Sequence, residues 1–187
     1  MSRSAASWSA GHSVIVVPVP LAPVEEFVRA RTAYYDASFV SADPDFAQAH
    51  VTVLGPWVPR PTAADLSRVA EVLGEIEPFE LELGVVAEFP DGVIHLRAEP
   101  APLLRELTAA LHRAFPDHPP YGGQFGDDLT PHLTLDRRAP GITPESVGAD
   151  LGDVLPLRHP VTHLDLQWWA NDDCRVLHRW QLEGVRR

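Results

Sequence analysis

The sequence predicts an α+β fold built from two related units that share a groove, and three observations carry this. The tetrapeptide His50-Val51-Thr52-Val53 returns as His132-Leu133-Thr134-Leu135, 82 positions later. Around each copy the elements read in one order: strand, helix, His-x-Thr strand, helix, strand. The spacings also agree, with 36 positions from Val14 to His50 against 39 from Val93 to His132, and 29 from His50 to Phe79 and again from His132 to Val161. A repeat of this kind usually marks a repeated structural unit. An approximate twofold axis between the units would set His50 and His132 across a shared groove.

Ser13 to Val19 is an apolar, β-branched run and reads as the first strand, with Pro18 and Pro20 at its exit. Pro23 opens an amphipathic helix carrying Val24, Phe27, Val28, Tyr34 and Tyr35. The first His-x-Thr strand follows and ends at Gly55-Pro56. Thr62 with Asp65 forms a variant capping box for a helix whose apolar stripe is Leu66, Val69, Ala70, Leu73 and Ile76. Phe79 to Val85 alternates as a strand, and Asp91-Gly92 is a hairpin turn into Val93 to Ala98. Pro102 starts a helix bearing Leu103, Leu104, Leu107, Leu111 and Phe115. A long Pro/Gly loop, Pro116 to Pro131, leads to the second His-x-Thr strand. Thr143-Pro144 begins a short helix, and a final hairpin joins Val161–Ala170 to Cys174–Leu182 around Asn171-Asp172-Asp173.

A chain of 187 residues suits one well-buried domain, here expected over 13–187 with halves near 13–90 and 91–187, preceded by a flexible segment at 1–12. No run of about 18 apolar residues is present. The Ser/Ala-rich stretch Met1 to Ser13 lacks the apolar centre of a secretory signal, so a cytoplasmic location without membrane contact is expected. The one cysteine, Cys174, excludes an internal disulfide and reads as a small buried residue in a late strand. All 15 basic residues are Arg, which rules out a lysyl-adenylate and a P-loop lysine. The net charge of -11 opposes a surface for long duplex nucleic acid but permits an Arg-lined pocket.

In a strand, alternate side chains share a face, so His50 with Thr52 and His132 with Thr134 each present a polar pair above an apolar floor. Two imidazoles and two hydroxyls are equipment for proton transfer around a phosphate. With the flanks Ala49 to Pro56 and Pro131 to Leu135, the paired motifs resemble the two-histidine phosphoesterase superfamily, which includes 2',5'-RNA ligase-like proteins and cyclic nucleotide phosphodiesterases. The resemblance implies a bilobal α+β fold with antiparallel sheets facing each other across a central cleft. It implies a metal-independent phosphoesterase that hydrolyses a 2',3'-cyclic phosphate or a 2',5'-phosphodiester of a nucleotide or RNA end, with no cofactor. His50 and His132 would share the acid and base roles, with the sequence not deciding which takes which, and Thr52 and Thr134 would bind the phosphate. The alternatives are ATP-independent reversible 2',5' RNA ligation and a non-catalytic nucleotide or RNA-end binding module.

Trp57, Tyr121 and Phe125 are candidates to stack a base. Arg137 and Arg138 are candidate phosphate contacts, and simple alternation puts Arg138 on the His132 face with Arg137 pointing away. His159 and His163 stand four apart, but Pro160 and a strand setting argue against a metal pair. The expected partner is a nucleotide with a cyclic phosphate or a short RNA end, bound by a monomer.

Overall fold

The apolar run near the start of the chain forms β1 (His12–Pro18), and its residues are buried from Ser13 on because the strand has neighbours on both sides. β2 (His50–Leu54) and β7 (His163–Trp169) flank it, and β8 (Arg175–Gln181) lies beyond β7. β3 (Phe79–Glu88), β4 (Val93–Glu99), β5 (His132–Arg137) and β6 (Leu157–Val161) make the other half. The computed structural model describes residues 11–126 and 129–184, so the expected flexible segment lies, for residues 1–10, outside the described residues.

All strand pairs are antiparallel, in the order β6-β3-β4-β5-β2-β1-β7-β8. The architecture is α+β, and the order reads as a palindrome about the β2–β5 junction. That junction is narrow, with Val51 opposite Leu133. The strand order interleaves the two sequence halves: β3 pairs with β4, and β7 with β1.

The helices repeat the same symmetry. α1 (Ala22–Asp36) and α3 (Ala101–Ala114) both open with proline in the first turn, where a missing N–H costs nothing. α2 (Ala63–Leu73) and α4 (Pro144–Leu151) both open with a threonine capping box, Thr62 with Asp65 and Thr143 with Ser146. α3 packs on β2 and α2, while α1 packs on β5 and α4. One apolar core runs through both halves, from Ile15, Val51 and Leu164 to Leu83, Leu96 and Leu133.

Two features depart from the sequence reading. Among the described residues β6 is a separate edge strand, paired only with β3, and Pro160 is tolerated there because an edge strand has one unpaired side. Val161 therefore ends β6, and the counterpart of β3 is β7. The second departure is a bulge in β5. Thr134 lies opposite His95 and Asp136 opposite Ile94, so Leu135 is an extra residue and the strand turns over at that point.

Candidate active site

The rung between Val51 and Leu133 fixes the register of the two motifs. One residue to either side, His50 falls opposite Thr134 and Thr52 opposite His132, all four on one face, because directly opposed residues of an antiparallel pair share a face. Each histidine thus stands beside the threonine of the other motif.

Each imidazole is held in the same way. His50 Nδ1 lies 2.9 Å from the Gln48 carbonyl oxygen, and His132 Nδ1 lies 2.8 Å from that of Thr130, in both cases two residues upstream. A carbonyl only accepts, so each Nδ1 carries the hydrogen and each Nε2 is left to accept or deliver a proton. Burial pushes the His50 imidazole down to about 4; the Gln48 carbonyl opposes the shift, and His132 and His12 add to it. Burial also lowers His132, against the Thr130 carbonyl and the charge of Asp91. Both rings are therefore neutral near pH 7 in the free protein.

The two rings have different surroundings. His50 borders two adjoining cavities, of about 430 and about 380 Å³, with Trp169 at 5.3 Å between ring centroids. Thr52 and Tyr121 line the first cavity, and Thr134 and Arg137 the second. His132 lines neither, being surrounded by Phe89 at 4.8 Å, His95 at 5.3 Å and Tyr121 at 6.2 Å. The wall formed by α1 is tied to β5 through Asp136, which accepts from Tyr35 Oη at 2.6 Å and from Arg31 Nη2 at 3.1 Å.

Of the aromatic candidates, Tyr121 is at the centre: its ring faces His132, it lines the first cavity together with Thr52, and burial raises its pKa to about 12. Phe125 is 55% exposed and touches Tyr121 edge-on at 5.6 Å. Trp57 is not at the cleft. It is 2% exposed, packed edge-on against Phe115 at 5.1 Å in the core, so its place beside the motif in sequence misleads. The arginines are exchanged relative to simple alternation. The bulge at Leu135 turns Arg137 to the cavity, where Nη2 donates to the Asp91 carbonyl at 3.0 Å. Arg138 follows the end of β5 and pairs with Glu88, Nε lying 2.7 and 2.8 Å from its two oxygens.

Arg31, Tyr35, His95 and Trp169 border the site or its histidines although the sequence did not mark them as site residues. The helical period places Tyr35 but not its contact with Asp136, which is 101 positions away. His159 on β6 and His163 on β7 stand on different strands, and among the described residues no group of three or more His, Cys, Asp or Glu is placed to hold a metal ion.

The model of the 2'-5' RNA ligase superfamily matches residues 19–173. The chain belongs to the 2'-5' RNA ligase superfamily. Solved structures of similar fold include E. coli LigT complexed with 3'-AMP, at 20% identity and a TM-score of 0.56 over 92% of this chain and 98% of that one. TT0787 of Thermus thermophilus is similar at 21% identity and a TM-score of 0.53, over 94% and 100% of the two chains. E. coli LigT complexed with ATP gives 20% and 0.53 over 91% and 97%. No curated protein matches the chain by sequence. At these identities the structural likeness establishes the shared fold of this 2'-5' RNA ligase superfamily member. Among the described residues, no helix is long and apolar enough to cross a membrane.

Proposed function

We propose that this protein is a metal-independent phosphoesterase that opens a 2',3'-cyclic phosphate, or cleaves a 2',5'-phosphodiester, at a nucleotide or RNA end. The observation that carries the reading is the matched holding of the two imidazoles, at 2.9 and 2.8 Å from backbone carbonyls, each opposite the other motif's threonine. One Nε2 takes a proton from water while the other gives one to the leaving ribose oxygen. The threonine hydroxyls donate to the non-bridging oxygens. An anionic phosphate in the cleft favours the imidazolium form of one ring, offsetting the desolvation that keeps both neutral in the free protein.

The likeness to E. coli LigT structures complexed with 3'-AMP and ATP supports a nucleotide-sized ligand. Incubation with 2',3'-cyclic mononucleotides, with and without EDTA, tests the reading. A single monophosphate isomer, formed equally in both conditions, is expected. Binding without product would leave a nucleotide-binding module, and loss of turnover on chelation that a divalent ion restores would mean metal-assisted hydrolysis.

A further inference from the structure

The pseudo-twofold axis makes His50 and His132 near equivalents, yet the peptide groups that hold them differ. Glu25, in the first turn of α1, accepts from two successive amides of the segment entering β2: Gln48 N to Oε1 at 3.0 Å and Ala49 N to Oε2 at 2.7 Å. The Ala49 N–H and the Gln48 C=O are the two ends of one planar peptide group. That same carbonyl accepts from His50 Nδ1 at 2.9 Å. Carboxylate, peptide and imidazole are therefore joined in series. The carboxylate charge polarises the peptide and strengthens its bond to Nδ1–H, most of all when the ring is positively charged. This is the part an Asp plays beside a catalytic His, one peptide removed.

His132 has no such line. The peptide whose carbonyl it bonds joins Thr130 to Pro131, and a proline nitrogen carries no hydrogen to give to a carboxylate.

We infer that Glu25 is a positioning residue acting on His50 through the Gln48–Ala49 peptide, and that this relay makes His50 the base and His132 the acid. The inference rests on the two-histidine reading above. A base begins neutral and gains charge in the transition state, so a group that favours the forming imidazolium lowers the barrier. In the step, a water oxygen bonds phosphorus as its proton passes to His50 Nε2. The bond from phosphorus to the leaving ribose oxygen breaks, and that oxygen takes the proton from His132 Nε2. His50 ends protonated and His132 neutral, and exchange with solvent resets both. His132 and His12 act on the charge of His50, Tyr35, Asp36 and Tyr121 share its first cavity, Arg31, Asp136 and Arg137 share its second, and Trp169 lies against its ring. Arg29 Nη1 lies 3.9 Å from Glu25 Oε1. Asp91 favours the charged form of His132, as an acid requires.

The experiment is a site-resolved titration of histidine-¹⁵N-labelled full chain by NMR, in wild type, Glu25→Gln, Glu25→Asp and Glu26→Gln, alongside the pH profile of kcat/KM on a 2',3'-cyclic nucleotide. Glu25→Gln keeps the shape and removes the charge. It is expected to lower the His50 pKa by about 0.5 to 1 unit while His132 stays in place. The acidic limb of the profile moves to lower pH, and kcat falls about 10-fold with KM little changed. Glu25→Asp recovers part of both effects, and Glu26→Gln, which removes an exposed charge next door, leaves both unmoved. If Glu25→Gln does not fold, Glu25→Asp against wild type is expected to show a smaller shift of the same sign. An unmoved His50 in folded variants, equal shifts of both rings, or movement of the basic limb alone would overturn the inference. Absence of wild-type turnover would instead remove the proposed reaction, and the titration would still decide whether the relay exists.

Discussion

Tyr121 covers His132, with ring planes 18° apart and centroids at 6.2 Å, while its hydroxyl reaches Thr52 on the neighbouring strand. One side chain thus touches both members of a cross-strand pair. Its backbone holds it there at a φ of 51°, uncommon for a bulky residue, and its N–H donates to the Gly55 carbonyl at 2.7 Å. Loss of the cavity-lining hydroxyl alone, in Tyr121→Phe, is expected to lower kcat/KM on a cyclic nucleotide by about 2- to 10-fold, the worth of one hydrogen bond to substrate or to Thr52. Tyr121→Ala, which also uncovers His132, is expected to cost more. If Tyr121→Phe matches wild type in steady-state kinetics, the hydroxyl plays no part in turnover.

His50→Ala and His132→Ala are each expected to lower turnover by about 10² to 10⁴, as for removal of a general acid or base. Circular dichroism should show both variants folded, because both rings line the sheet face above the core rather than fill it. An active His132→Ala variant would refute the shared acid-base assignment. Thr52→Ala and Thr134→Ala should be milder, and their losses should not add if both hydroxyls hold one phosphate.

Acid should destabilise the fold over a definite range. Burial lowers the pKa values of His12, His50, His95, His132, His159 and His163. Such groups are neutral in the folded state and protonated in the unfolded chain below the ordinary value of about 6.5. The unfolded state then binds more protons, so the stabilisation is complete above pH 6.5 and is lost as pH falls toward about 4, where His12 and His50 titrate in the folded protein. Urea midpoints measured between pH 7.5 and 4.5 should fall continuously. A flat profile would show that these rings titrate normally in the folded state.

The two adjacent arginines should separate cleanly. Arg137 borders the cavity and Arg138 is engaged by Glu88, so Arg137→Ala is expected to raise KM several-fold with a smaller change in kcat, and Arg138→Ala to leave both near wild type. The reverse result would mean that the turn of the strand at Leu135 does not orient the site as described.

Much of this was readable from the residues, for identifiable reasons. The paired motifs, the capping box at Thr62, the helix start at Thr143-Pro144 and the hairpin turn at Asp91-Gly92 are local signals, and each appears in the structure. What escaped was set by pairing across the sheet. Nothing local announces that β5 carries an extra residue at Leu135, and one residue decides which arginine faces the cleft. Trp57 stands five positions after Thr52, yet the chain leaves the sheet at Gly55-Pro56 and delivers it to Phe115. Glu25 is one of two adjacent glutamates opening a helix, and only its contact with the amides before His50, 23 and 24 positions on, sets it apart from Glu26.

The interleaved strand order bears on how the chain can be divided. Each repeat gives its last strand to the other half of the sheet, so the repeats are swapped within a single polypeptide. A break at Asp91-Gly92 would leave a first fragment holding β3 without β4, β5 or β6, and β1 without β7. The second fragment would have the complementary gaps. Neither piece could close its sheet alone, and each would present to the other the edges it lacks. Reconstitution from two such fragments would therefore have to proceed by mutual strand insertion, with the histidines brought together only at the end.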